Sequence, residues 1–343
     1  MQEPGIKTVN KSNRGEVRGF GFFYILLIFL VLLSGGCGSS FEGVVLENTG
    51  GLSSRAIEIL ESGLSDPEAQ IRVNSIEVVA STGQRRLMPK VEKLLKDDFI
   101  PVRFAAAIAV GDLEYTLAAD SVRGLLEDSD ENIQIAAAYA LDKLGYGDGF
   151  ARVSKAVTSS DKVVCANAAL LLGKMGDERS LKLLYGLLKD EESDDRVLFQ
   201  AVESIARLGD EGIYPRIWAM LISAYADDRV MGVRSMGALG TTDSRNDLIR
   251  MLEDDILEVR LAAAEQLGKL GYGTGEPEVS DVFTKQLYRG QDKVSRERIM
   301  GLTSLAIGEI CSEPLTRYLP GLLEDKSKLV RLSAAKAVLK CQN

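Results

Sequence analysis

The strongest constraint in this chain of 343 residues is a spacing. Gly83, Gly145, Gly176, Gly209, Gly240, Gly271 and Gly308 each close an apolar segment, at intervals of 62, 31, 33, 31, 31 and 37 residues. The first interval is two units of 31, with Glu114 at the missing position after Leu113. Cys341 stands at the same position one unit beyond the last glycine. A period near 31 sustained over nine units means one supersecondary element stacked on itself, and it decides the fold before any local motif does.

The unit can be read in residues 254–271. Val259, Ala262, Ala263, Gln266, Leu267 and Leu270 recur at i, i+3, i+4, i+7, i+8 and i+11, and all but Gln266 are apolar. That spacing lines one face of a helix. Gly271 then stops it, because glycine takes the left-handed conformation without a steric penalty. A second, earlier apolar helix precedes each of these, as in residues 180–189 and 247–253, and Asp-rich turns such as Asp97-Asp98 join the two. Each unit is therefore a helical hairpin that buries its apolar face only by stacking on its neighbours.

The segments VRFAAAIAVGDL (102–113), IQIAAAYALDKLG (133–145), VRLAAAEQLGKLG (259–271) and VRLSAAKAVL (330–339) resemble HEAT repeats, in the short form named after phycobilisome lyases. The resemblance spans residues 53–343 and implies an all-α, right-handed α-solenoid of about nine hairpins. It says little of function, since this fold serves unrelated partners. Some HEAT-like proteins are di-iron hydroxylases built on His-Glu pairs, and this chain has no histidine. The same lack removes the commonest general base and metal ligand. No metal, no cofactor and no catalytic set is expected. With 41 basic against 50 acidic residues, the chain is a poor match for a nucleic-acid backbone.

Residues 1–37 read as a signal or anchor segment. Lys7, Lys11, Arg14 and Arg18 lie in a polar stretch (1–19), an uncharged apolar core fills residues 20–36, and Cys37 follows Ser34-Gly35-Gly36. A basic start, a short apolar core and small residues describe an export signal. With the cysteine it resembles a bacterial lipoprotein signal, although Ser34 stands where that pattern has leucine. Lipid on Cys37 or an uncleaved anchor helix both put the repeats outside the cytoplasm, held at a membrane. Residues 38–52 are a tether and residues 53–343 the repeat domain.

Three residue sets are candidates for a role. Asp66, Asp97, Asp254 and Asp325 stand six residues before Arg72, Arg103, Arg260 and Arg331, a structural ladder of charge-assisted hydrogen bonds within or between units. Gln134, Cys165 and Leu198 interrupt it. Phe104, Ile108, Ile135, Tyr139 and Leu170 make the far face of the second helices apolar, either packed between tightly wound units or lining a concave groove for a protein partner. Cys165, Cys311 and Cys341 read as free, partly buried thiols, since stacked helices usually stand farther apart than a disulfide spans; the alternative is a bridge between Cys311 and Cys341, which lie near the ends of adjacent units. The reading that follows is a non-enzymatic, envelope-anchored adaptor that binds a protein on its concave face. The alternatives are a lyase-like enzyme or maturation subunit, and a structural spacer.

Overall fold

The computed structural model describes residues 49–342. All regular structure among them is helical, arranged as nine antiparallel hairpins. Nine inner helices stack side by side: Ala69–Ser81, Ile100–Asp112, Glu131–Lys143, Lys162–Met175, Asp195–Arg207, Ala226–Leu239, Leu257–Lys269, Lys293–Ile310 and Lys328–Lys340. Shorter outer helices alternate with them, beginning with Thr49–Gly63 and including Tyr214–Leu221 and Glu276–Thr284.

Local chemistry explains the boundaries. Asp130, Asp161 and Asp194 precede their inner helices and accept hydrogen bonds from first-turn amides, which satisfies donors that the helix cannot. Six of the spaced glycines, from Gly83 to Gly271, hold positive φ after their helices, and Glu114 takes the same conformation (φ 47°) at the position that lacks glycine. Gly308 departs from the expectation. It lies inside its helix, and the stop is Cys311, at φ 53°. A Cβ on Gly308 would come within 2.6 Å of Ala337 Cα, so this glycine serves close approach of the last two inner helices rather than termination. Gly268 does the same against Glu309, 2.9 Å from its carbonyl carbon.

Other boundaries also differ from the sequence reading. The first helix starts at Thr49, inside the expected tether, because Leu52 already packs on the core. Unit eight carries the residues that lengthen the last glycine interval to 37. A short 3-10 turn, Gly273–Gly275, leads directly into the outer helix, and the surplus lies in the turn at 285–292 and in an inner helix of 18 residues. Pro320 breaks the outer segment of unit nine into Glu313–Thr316 and Leu319–Leu323.

The solenoid closes on itself. Arg55 of unit one donates from Nε to Glu324 Oε1 of unit nine at 2.8 Å. Lys328 donates to Asp66 and to Glu68 Oε1, the latter at 2.7 Å, and Ser53 Oγ donates to Gln342 Oε1. A Cβ on Gly63 would sit 3.4 Å from Leu332. The last inner helix thus packs on the first hairpin as it packs on its own predecessor. One continuous apolar core runs around the ring.

Candidate functional site: the charged hub and the ring edges

Closure determines what the inner faces can do. The five apolar residues expected to line a groove, Phe104, Ile108, Ile135, Tyr139 and Leu170, are all buried. They do not form an open concave surface, because neighbouring units cover them and the ring leaves no free end to splay. This corrects the groove read from the sequence.

The same faces carry a second, polar set. At the position of Tyr139, other units place Glu77, Glu203, Arg234, Glu265 and Lys336. One turn later come Asp112, Lys143, Lys174, Arg207, Lys269, Glu309 and Lys340. The inner helices all end on the same edge of the ring, and cations in a last turn complement the negative end of the helix dipole. Around the axis these groups form a hub of mixed charge. Tyr139 Oη donates to Asp112 Oδ1 at 2.5 Å, and Lys174 Nζ donates to the same oxygen at 2.8 Å. The Lys174 ammonium also stands 5.6 Å over the Tyr139 ring. Arg207 pairs with Glu203 at 2.5 Å and Lys340 with Glu309 at 3.2 Å.

Burial dominates the electrostatics. It draws the Lys174 and Lys336 ammonium groups down to about 8 against the opposing pull of Asp112 and Glu265 respectively. It pushes the Glu77 carboxyl up to about 8, against the attraction of Lys336 and Lys174. The Glu77 side chain is only partly buried overall, but its Oε1 is shielded from solvent. Glu265, 0% exposed, is raised by burial, and neither of its oxygens has a hydrogen-bond partner among the described residues. Such a cluster can take up and release protons near pH 8. The attraction between Glu77 of unit one and Lys336 of unit nine exists only because the ring closes.

The ladder has a defined form. Arg72 reaches back to the Asp66 carbonyl at 2.8 Å and forward to both oxygens of Asp97, at 2.8 and 2.9 Å. Arg103 does the same with the Asp97 carbonyl and Asp128. Arg229 binds the Ser223 carbonyl and Asp254. Arg260 holds the Asp254 carbonyl but turns to Glu278, since unit eight offers no matching aspartate. Arg331 holds the Asp325 carbonyl, and the Asp325 carboxylate goes to Arg296. Where the ladder is interrupted, Gln134 still donates to the Asp128 carbonyl and Cys165 Sγ to that of Val157.

Cys311 and Cys341 are joined by a disulfide, with Cα atoms 5.2 Å apart, which corrects the reading of free thiols. The stops of units eight and nine are brought together by the same close approach that Gly308 permits. Cys165 is free and buried. Cys37 and the whole of residues 1–48 lie outside the described residues. Among the described residues, no helix is long and apolar enough to cross a membrane, and no group of acidic or cysteine side chains could hold a metal ion.

The edges of the ring carry what the axis does not. Trp218, Ile222 and Tyr225 are 44, 63 and 74% exposed at the end of the unit-six outer helix and in the turn that follows. The sequence reading missed them. Part of the signal was there: Ile222 stands where units two and three have Lys96 and Glu127, and Tyr225 where units three to five have Asp130, Asp161 and Asp194.

A family model described as HEAT repeats matches residues 57–142, 121–206, 150–231 and 213–303. No curated protein matches the sequence. Among solved structures, the complex of CpcE and CpcF of phycocyanin lyase from Nostoc sp. is 17% identical, with 74% of this chain and 94% of that one covered and a TM-score of 0.40. Human deoxyhypusine hydroxylase is 16% identical, with 77% and 99% covered and a TM-score of 0.38. Importin beta is 16% identical, with 84% and 46% covered and a TM-score of 0.33. At these values nothing about activity passes from those proteins to this chain.

Proposed function

This chain belongs to the HEAT-repeat family, and from that membership we propose that it is a non-enzymatic scaffold, tethered to a membrane on its extracytoplasmic side, that binds a protein partner on the outside of a closed ring. The observation that carries the reading is the closure itself. A closed ring with its axis filled by charged side chains leaves its turns and outer helices as binding surface.

Two features support the membrane side of the reading. The basic and apolar run of residues 1–36 before Cys37 has the form of an export signal. A disulfide between Cys311 and Cys341 suits an oxidising compartment and not a reducing cytosol. The spacer reading is weakened, because deleting a unit from a ring changes its closure rather than its reach.

The test is crosslinked capture from intact envelopes with the full-length protein, compared with a Cys37→Ser variant. The reading expects capture of one protein by the wild type and altered membrane retention of the variant. Recovery of the wild type in the cytosol, or no protein captured at all, would overturn it.

A further inference from the structure

We propose that the turn of unit six, with the acidic turns on either side of it, is the docking surface, and that its occupant is a basic amphipathic segment of the partner protein. The proposal deepens the scaffold reading and rests on it.

Trp218 and Ile222 are four residues apart, so they share one side of the helix end, and Tyr225 follows in the same turn. An exposed tryptophan, isoleucine and tyrosine on one hairpin tip are not explained by packing. All three side chains remain accessible, while Ile217, Met220 and Leu221 of the same helix fill the core. Aromatic residues of this kind are the usual anchors of protein interfaces.

Acids outnumber bases around these anchors, although Lys189, Arg196 and Arg216 are exposed there too. In the unit-five turn, Glu191, Glu192 and Asp195 are exposed. Beyond the anchors, Asp227 of unit six and Asp255 of unit seven are exposed as well. The turns of units six and seven are held side by side: Arg229 donates from Nη1 to the Ser223 carbonyl at 3.0 Å and from Nη2 to Asp255 Oδ1 at 2.9 Å. Helix capping accounts for Asp194, which accepts from the Val197 amide, but not for Glu191 and Glu192 ahead of it. An apolar centre between acidic flanks selects an occupant with apolar residues on one side and lysine or arginine beside them.

Topology and charge argue for protein rather than lipid. The first outer helix, Thr49–Gly63, begins at the edge where inner helices end, with Ser53 beside Gln342. The Tyr225 turn joins an outer helix to the start of an inner one, so it lies on the opposite edge. An acidic edge is also repelled by anionic lipid headgroups. The surface therefore lies on the edge opposite the start of the first described helix.

Trp218 is the only tryptophan of the chain and reports directly on occupancy. The full-length protein is placed in phosphatidylcholine nanodiscs. A short lysine–leucine peptide with its leucines on one helical face is titrated in, with the glutamate–leucine peptide of the same pattern as control. The proposal expects a saturable blue shift of Trp218 with the basic peptide only. It expects binding to weaken by roughly tenfold in Glu191→Gln/Glu192→Gln and in Ile222→Ser/Tyr225→Ser, both with wild-type circular dichroism. Equal responses to the two peptides, or none to either, would overturn it. So would a Trp218 emission already blue and quencher-protected before peptide is added, which means lipid or the chain's own apolar segment covers the turn. Envelope capture separates this proposal from the one beneath it. A partner still captured in full by Ile222→Ser/Tyr225→Ser keeps the scaffold and removes this surface, whereas no capture by the wild type removes both.

Discussion

Lys328 of the ninth unit donates to Asp66 of the first, with Nζ 2.9 Å from Oδ2. Asp66 occupies in unit one the place that Asp97 occupies in unit two, where Arg72 holds it. The cation-to-next-acid relation thus continues across the chain ends, and the ladder has no terminal rung on that side. Ends that would be caps in an open solenoid are an interface here.

Closure fixes the number of units. Deleting residues 241–271 in frame removes one full repeat and joins Gly240 to Tyr272. An open solenoid tolerates such a loss as one share of a nearly additive stability. The ring does not, because eight units of the same curvature no longer meet. The expected result is a broad, early thermal transition or domain-swapped oligomers by light scattering. A sharp monomeric transition near that of the wild type would speak against closure.

The ladder rung between Arg72 and Asp97 is nearly dry, with side chains 11 and 10% exposed. Asp97→Ala strands the guanidinium there, with the Asp66 and Pro67 carbonyls and the Phe99 ring to hold it but no counter-charge. The expected cost is about 3 kcal/mol in urea unfolding, by analogy with other broken buried pairs. A loss of a few tenths would put this rung with ordinary surface pairs.

The Cys311–Cys341 bridge spans 30 residues and pins the closing helix to unit eight. Chain-entropy arguments put a loop of this size at about 3–4 kcal/mol. Thiol reductant should therefore lower the melting temperature of the wild type and leave Cys311→Ser/Cys341→Ser unchanged. Identical melting of the wild type with and without reductant would contradict the bridge.

The hub makes stability depend on pH. The Glu77 carboxyl is raised from 4.5 to about 8 by burial, so its contribution is full below 4.5 and is lost as pH climbs through 8. Lys174 and Lys336 are lowered from 10.5 to about 8, so theirs is full above 10.5 and is lost as pH falls through 8. Together these groups support the ring least near pH 8. Glu77→Gln mimics the protonated acid. It should melt like the wild type at about pH 5 and at a higher temperature than the wild type at about pH 8.5. The same melting difference at both pH values would show that Glu77 titrates elsewhere.

The local architecture was legible in the sequence, and the closure was not. Stop glycines, capping aspartates and the 3.6 period act within one hairpin, so residues 254–271 suffice to describe a unit. Whether unit nine meets unit one depends on a small rotation repeated eight times, which no single unit displays. A partial signal lay in Gly111, Gly173, Gly237, Gly268 and Gly308, glycines inside helices where glycine costs about 1 kcal/mol. They mark where inner helices touch, and so where curvature is set. Reading Gly308 as a stop hid both the true stop at Cys311 and its disulfide. The groove failed for a related reason. Tyr139 and Leu170 look like an exposed stripe on a helix considered alone, and only the neighbouring units bury them.

The most direct measurement is an intramolecular crosslink across the closure. Arg55→Cys and Glu324→Cys are introduced with Cys37→Ser and Cys165→Ala, and a short bis-maleimide is added at low protein concentration. Lys90→Cys with Glu61→Cys, which pair at 3.4 Å between units one and two, serves as the neighbour reference. The ring predicts that both pairs crosslink within the monomer at comparable rates. A reference pair that reacts while residues 55 and 324 remain unlinked would mean that the solenoid is open.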